Sequence, residues 1–258
     1  MASSLPHLFD LTGRTALVTG STRGIGLALA RGLGRAGAQV IVHGRDAEQA
    51  AAVAASLGDE GIAAGSRAFD LADAEAIAAG VEAVREEYGA LHVLVNNAGF
   101  IERAPLLELD LAAWREMLDV NLTGALLVAR AVVPGMIAAG GGKIVNVCSV
   151  LSELARPEAG AYATSKAALK MLTQCMCAEW AQHGIQANGL GPGYVKTDLS
   201  ERLSSAPEFN AWLTARTPAG RWGEPSDLEG AIVFLAAPAS DFVNGHVLYV
   251  DGGLLAVV

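Results

Sequence analysis

A chain of 258 residues with 52% hydrophobic and 17% charged residues has ample material for a buried core, as one large α/β domain or two small ones. Its formal charge of −9 argues against a nucleic-acid or anionic-membrane partner, since either calls for a basic patch. No run of Pro, Ser or like charge divides the chain, and helix and strand patterns alternate from residue 14 to residue 250, so one domain over residues 1–258 is expected.

Residues 1–10 have no basic start and no long apolar run, which excludes a secretory signal. No later stretch reads as apolar for long enough to cross a bilayer. Cys148, Cys175 and Cys177 are odd in number, and no His or Cys stands at a zinc-like spacing. Neither a disulfide nor a metal is therefore expected, and a reduced cytoplasm fits.

Thr15-Ala16-Leu17-Val18 reads as the first strand. Gly20, Ser21, Thr22, Arg23, Gly24, Ile25 and Gly26 then form a glycine-rich turn that opens a helix. Such a turn lets backbone N–H groups approach a pyrophosphate, whose charge the helix N-terminus favours. A second strand over 40–42 ends in His43-Gly44-Arg45-Asp46. An acidic side chain at that point hydrogen-bonds the ribose 2′-hydroxyl of NAD, whereas an arginine accommodates the 2′-phosphate of NADP. Arg45, with Arg23 as a second cation, points to NADP(H); NAD(H) stays open through Asp46.

A third strand is expected before Phe69-Asp70-Leu71. Residues 91–99 then give a near-continuous apolar strand of the parallel-sheet type, ending in the turn Asn96-Asn97-Ala98-Gly99. The paired asparagines can brace backbone that a loop leaves unpaired. Asn121 stands in a helical stretch where asparagine has poor propensity and so wants a reason. Residues 143–149 read as a buried strand that delivers the Ser149 hydroxyl at its carboxyl end. Tyr162 and Lys166 follow, four apart on one face of a helix. An ammonium near a phenol stabilises the phenolate and pulls its pKa down from about 10 toward working pH, where a general acid/base is most effective. Beyond a strand over 185–190 come Gly191-Pro192-Gly193 and a segment, 198–218, that reads as a pair of short helices, closing over substrate or simply packed. A last strand and turn lie within 245–253, and the apolar tail 254–258 calls for cover, for which a partner subunit is natural.

Thr19-Gly20-x-x-x-Gly24-x-Gly26, Asn96-Asn97-Ala98-Gly99, Asn121, Ser149, Tyr162-x-x-x-Lys166 and Pro192-Gly193, in that order, resemble the short-chain dehydrogenase/reductase family over nearly the whole length. The resemblance implies a single-domain Rossmann-type α/β fold, a doubly wound, mainly parallel seven-stranded sheet with helices on both faces, commonly in a homotetramer. Residues 13–100 are then mainly the dinucleotide-binding half and 101–258 the catalytic and substrate half. It further implies that Ser149 orients the substrate oxygen, Tyr162 is the acid/base, Lys166 holds the nicotinamide ribose and Asn121 supports a water-mediated proton path. Asp70 and Leu71 would meet the adenine, and Val195 and Thr197 the nicotinamide carboxamide. Asn97, Ala98, Gly99, Pro192 and Gly193 complete the cofactor site with the glycine turn.

Cys148-Ser149-x-x-Ser152-Glu153-Leu154 and Arg216-Thr217-Pro218-Ala219-x-Arg221-Trp222-Gly223 are similar to the branch of the family that interconverts gluconate and 5-ketogluconate. A sugar acid carries a carboxylate and a row of hydroxyls, so its pocket needs a cation and hydrogen-bonding side chains. Arg103 and Arg156 are placed to supply the cation, and Ser152 and Glu153 to meet hydroxyls. Two other readings stay open: a reductase of another ketone such as a 3-oxoacyl thioester, and a non-catalytic dinucleotide-binding regulator. The presence of Ser149, Tyr162 and Lys166 speaks against the second.

Overall fold

The computed structural model describes residues 5–257, so the first four residues of the N-terminal reading and Val258 of the apolar tail lie outside the described residues. After a short helix, α1 (Leu5–Leu8), strands and helices alternate: β1 (Thr15–Val18), α2 (Gly24–Arg35), β2 (Gln39–Gly44), α3 (Ala47–Asp59), β3 (Ala64–Ala68), α4 (Ala74–Tyr88) and β4 (Val93–Asn96). The second part runs through α5 (Leu111–Leu118), α6 (Gly124–Ala138), β5 (Gly142–Val147), α7 (Gly160–Trp180), β6 (Ile185–Pro192), α8 (Glu201–Ser204), α9 (Pro207–Arg216), α10 (Glu229–Ala236) and β7 (Val247–Val250).

The seven strands form one sheet in the order β3-β2-β1-β4-β5-β6-β7, and every pairing is parallel. Strand alternation explains how both faces are covered. In β1, Ala16 and Val18 point to the face packed by Leu29 and Leu33 of α2 and Ile232 of α10, whereas Leu17 points to the face packed by Val81 of α4, Val128 of α6 and Met176 of α7. Aspartates start three of the helices. Asp46, Asp73 and Asp110 accept hydrogen bonds from first-turn amides of α3, α4 and α5, each worth about 1 kcal/mol.

A π-helical turn, Asp119–Thr123, joins α5 and α6 into one helix of 28 residues, Leu111–Ala138. By length and composition alone this helix is apolar enough to cross a bilayer, with a mean hydropathy of 1.6 over its best window, contrary to the expectation that no stretch is. Its apolar side chains have a place in the core, where Val128, Val132 and Met136 join the cluster that holds Leu94 and Ile144 of the sheet. Of the apolar tail, Leu254 is buried and the Arg216 guanidinium donates to the carbonyls of Leu254 (3.2 Å) and Val257 (2.8 Å), while Ala256 and Val257 stay exposed.

Candidate active site

Strand order reverses between β1 and β4, and open α/β sheets bind ligands at the carboxyl ends of the strands at such a point. Here those ends line a cleft of about 490 Å³. Gly20, Arg23, Gly24, Ile25, Asn97 and Gly99 form one side; Ser149, Tyr162, Lys166, Pro192, Gly193, Val195 and Thr197 continue it, with Arg103 and Arg156.

The glycine turn depends on close backbone approach. A Cβ on Gly26 would lie 2.3 Å from the Gly20 carbonyl oxygen and 2.4 Å from Asn97 Nδ2. Asn97 fixes the same turn by donating to the carbonyls of Thr19 (2.9 Å) and Gly20 (3.0 Å), while the Thr19 hydroxyl accepts from Asn97 N–H (3.0 Å) and Ala98 N–H (3.1 Å). Unlike α3, α4 and α5, α2 receives no side-chain cap from its N-cap residue, Arg23. Its first-turn amides are therefore the donors a pyrophosphate needs, and the turn fits a dinucleotide. Ser21 serves the scaffold instead: its hydroxyl, fully buried, donates to the Val18 carbonyl (2.7 Å) and accepts from His43 N–H (3.0 Å).

Thr22, Arg45, Asp70 and Leu71 lie beyond the cleft lining, on the side of the glycine turn toward β2 and β3. Gly44 stands against Thr22, where a Cβ would meet the threonine methyl at 2.8 Å, and Arg45 is exposed. Asp46, the acidic candidate for a ribose contact, is spent capping α3 through Gln49 N–H (3.0 Å). Arg23 faces Asp198 at 3.9 Å with both side chains exposed, a pair of small energetic weight that draws the second cation toward the 198–218 segment.

His43, which the sequence reading passed over, is buried beneath this end. Gly20 N–H donates to its Nδ1 (3.2 Å), so Nδ1 is bare and the neutral ring carries its proton on Nε2, facing the Phe69 carbonyl (3.1 Å). Burial pushes its pKa down to about 4; the Phe69 carbonyl and the charge of Asp70 oppose the shift. The unfolded chain takes up the proton near pH 6.5, whereas the folded chain resists it until about pH 4. Stability is therefore unaffected above pH 6.5 and falls as the pH drops through this window, by about 3 kcal/mol in all. Urea midpoints at pH 7 and pH 4.5 should separate more for the wild-type chain than for H43Q; equal separations would contradict the assignment.

β5 carries Ser149 just past its end, and α7 presents Tyr162 and Lys166 from its first two turns. Burial pushes the Tyr162 phenol up to about 12, against a hydrogen bond from Ser149 and the nearby charge of Arg103, which both lower it. This corrects the sequence expectation of a phenol lowered by Lys166. The ammonium sits 5.7 Å from the phenol ring centroid and donates to the Val147 carbonyl (2.7 Å), and its own pKa is pushed down to about 8 by burial. Desolvation is thus the leading cause at both groups, and neither owes its shift to the other.

Asn121 lies in the π-helical turn with its amide occupied: it donates to the Phe100 carbonyl (3.0 Å) and Ser165 Oγ (3.2 Å) and accepts from Phe100 N–H (3.0 Å). It thus fixes the chain just after Gly99. The Arg156 guanidinium stacks 4.4 Å above the Phe209 ring, which ties the cleft wall to α9. Ser152 and Glu153 do not meet the cleft, contrary to expectation. The Ser152 hydroxyl is consumed by the Lys166 carbonyl (3.0 Å) and Ser149 N–H (3.2 Å), and Glu153 turns outward to Lys170 and the Tyr249 hydroxyl (2.6 Å). Tyr194, Ile101 and Leu203 line the cleft without having been singled out, because apolar wall residues carry no motif. Among the described residues no group of three or more His, Cys, Asp or Glu side chains gathers as a metal site.

Known proteins give the same picture. A family model described as enoyl-(acyl carrier protein) reductase matches residues 20–255. The chain is 49% identical to the gluconate 5-dehydrogenase of Gluconobacter oxydans, over 97% of this chain and 98% of the relative. It is 47% identical to the 5-keto-D-gluconate 5-reductase of Escherichia coli K12, over 97% and 99%. The crystal structure of a gluconate 5-dehydrogenase from Burkholderia cenocepacia, in complex with NADP and tartrate, is 51% identical and superposes with a TM-score of 0.97 over 99% of this chain and 100% of that one. With matches of this extent, on a seven-stranded parallel sheet with these residues at the switch point, the chain belongs to the short-chain dehydrogenase/reductase family of oxidoreductases.

Proposed function

We propose that this protein interconverts gluconate and 5-ketogluconate with NADP(H) as the preferred cofactor. The observation that carries the reading is the gathering of Ser149, Tyr162 and Lys166 with the Arg103 guanidinium in one cleft beside a glycine turn shaped for a pyrophosphate. Relatives named for this substrate pair, and a neighbour solved with NADP and a small hydroxy acid, support it.

When bound, the nicotinamide supplies or accepts the hydride at the carbinol carbon. Ser149 orients the substrate oxygen, and Tyr162 moves the proton on it. A phenol held near 12 is protonated at neutral pH, the form ketone reduction needs, while alcohol oxidation gains as rising pH yields phenolate. Lys166 holds the nicotinamide ribose, and Asn121 keeps Phe100 and the preceding turn in place beside it. Arg103 and Arg156 receive the substrate carboxylate. Val195, Thr197, Pro192 and Gly193 take the nicotinamide end, and Asp70, Leu71 and Arg45 the adenosine end. Segment 198–218 serves as a lid: Leu203 lines the cleft and Phe209 carries Arg156. We place the enzyme in the cytoplasm as a homotetramer, its exposed Leu107 and Phe242 offering apolar surface for subunit contacts.

The assay follows NADPH and NADH oxidation with 5-ketogluconate and, in parallel, with a 3-oxoacyl thioester. Turnover of 5-ketogluconate with NADPH preferred is expected; an inert 5-ketogluconate beside a reactive thioester reassigns the substrate. Arg45→Ala should raise the Kd of NADP⁺ by about tenfold to a hundredfold and that of NAD⁺ by less than about twofold, the difference being a charge-assisted contact to the 2′-phosphate. Equal losses for the two cofactors, by calorimetry, remove Arg45 from that role.

A further inference from the structure

We infer that His43 is a positioning residue for the dinucleotide: the Nδ1 acceptor of its imidazole, a ring anchored at Phe69 just past β3, orients the Gly20 peptide of the turn that receives the pyrophosphate. The inference rests on the proposed cofactor site and goes beyond it, since the ring touches none of the residues expected to hold the 2′-phosphate through charge.

Three chain segments converge on this residue. Toward the glycine turn, Gly20 N–H donates to His43 Nδ1 (3.2 Å), and Ser21 N–H donates to the His43 carbonyl (2.9 Å). Toward β3, Nε2 meets the Phe69 carbonyl (3.1 Å), and the ring lies 4.0 Å from the Phe69 ring, one residue before Asp70. Along its own strand, His43 is followed directly by Gly44 and Arg45. The residue is 1% exposed, so its two ring nitrogens have no water to turn to.

The two contacts need opposite chemistry from one side chain. Gly20 N–H requires an acceptor and the Phe69 carbonyl a donor, and only a neutral imidazole protonated on Nε2 offers both at this separation. Gly20 itself is at φ +62° and packs its Cα hydrogen against Ala98, with 2.8 Å from a built Cβ to Ala98 Cα, so the turn cannot shift on that side. The acceptor on His43 is thus what orients the Gly20 peptide from the other side. Loss of that acceptor takes the partner from the half-buried Gly20 N–H and frees the turn that receives the pyrophosphate.

Asparagine and glutamine separate the two contacts. The Asn oxygen reaches the place of Nδ1 and keeps the acceptor; the Gln amide reaches the place of Nε2 and keeps the donor. In H43Q the Kd of NADP⁺ and of NAD⁺, measured by calorimetry, should both rise by about tenfold, with the KM of NADPH rising in step rather than kcat falling. In H43N both should stay within about threefold of wild type. Circular dichroism confirms that each variant is folded. If H43Q binds both cofactors as wild type does, or if H43N loses as much as H43Q, the positioning role is overturned. If the wild-type chain binds neither dinucleotide, the proposed cofactor site itself fails, a result distinct from either of these. Selective loss of NADP⁺ in H43Q also overturns the inference, because it would assign His43 to the 2′-phosphate.

Discussion

Replacing Tyr162 by phenylalanine is expected to lower kcat by about 10³-fold while the Kd of NADP⁺ stays within about threefold of wild type. The substitution removes one oxygen and leaves the ring that fills the cleft wall, so α7 and the position of Lys166 should persist. The oxygen is the atom that exchanges a proton with the substrate, and Ser149 and Arg103 already bias its charge. No neighbour replaces it: the Lys166 ammonium is turned toward the Val147 carbonyl (2.7 Å), and the Ser149 hydroxyl accepts from Leu151 N–H (3.1 Å). Initial rates with 5-ketogluconate and NADPH, beside a binding isotherm for the cofactor, check both parts. Turnover within tenfold of wild type would sink the assignment of Tyr162 as the acid/base.

The second large effect is expected at Gly26. An alanine methyl there would lie 2.3 Å from the Gly20 carbonyl oxygen and 2.4 Å from Asn97 Nδ2. The first is backbone, and the second is an amide already committed to the carbonyls of Thr19 and Gly20. Neither can give way as the end of a flexible side chain does, so α2 must withdraw from the turn or the turn must open. Overpacking at such a site costs on the order of 1–3 kcal/mol in stability. The displaced amides should raise the Kd of NADP⁺ by about a hundredfold, more than the stability loss alone conveys. Calorimetry and a urea titration of G26A measure the two separately; wild-type affinity in this variant would show that the close approach of helix and turn is not needed for the cofactor.

Much of this protein was legible because its chemistry is local in sequence. The glycine turn declares itself by strand before and helix after, and the Tyr162–Lys166 spacing puts both on one face of α7 whatever the rest of the chain does. The alternation of apolar runs and helical periods fixes a parallel sheet, and the order of motifs fixes the family. The caps by Asp46, Asp73 and Asp110 are as local, reaching amides two or three residues away, yet the sequence pointed Asp46 to a ribose and marked neither of the others.

Tertiary structure decided whatever depends on distance between segments far apart in the chain. His43 owes its role to Gly20, 23 residues away, and to Phe69, 26 residues away, and no spacing announces such a meeting. Ser152 and Glu153 stand beside Ser149 in sequence, yet a single 3₁₀ turn directs one hydroxyl into the scaffold and one carboxylate outward to Lys170 and Tyr249. Tyr162 follows the same rule: four residues' spacing puts Lys166 on its helix face, but the burial that pushes the phenol up depends on everything packed around it, and the ammonium is turned to the Val147 carbonyl.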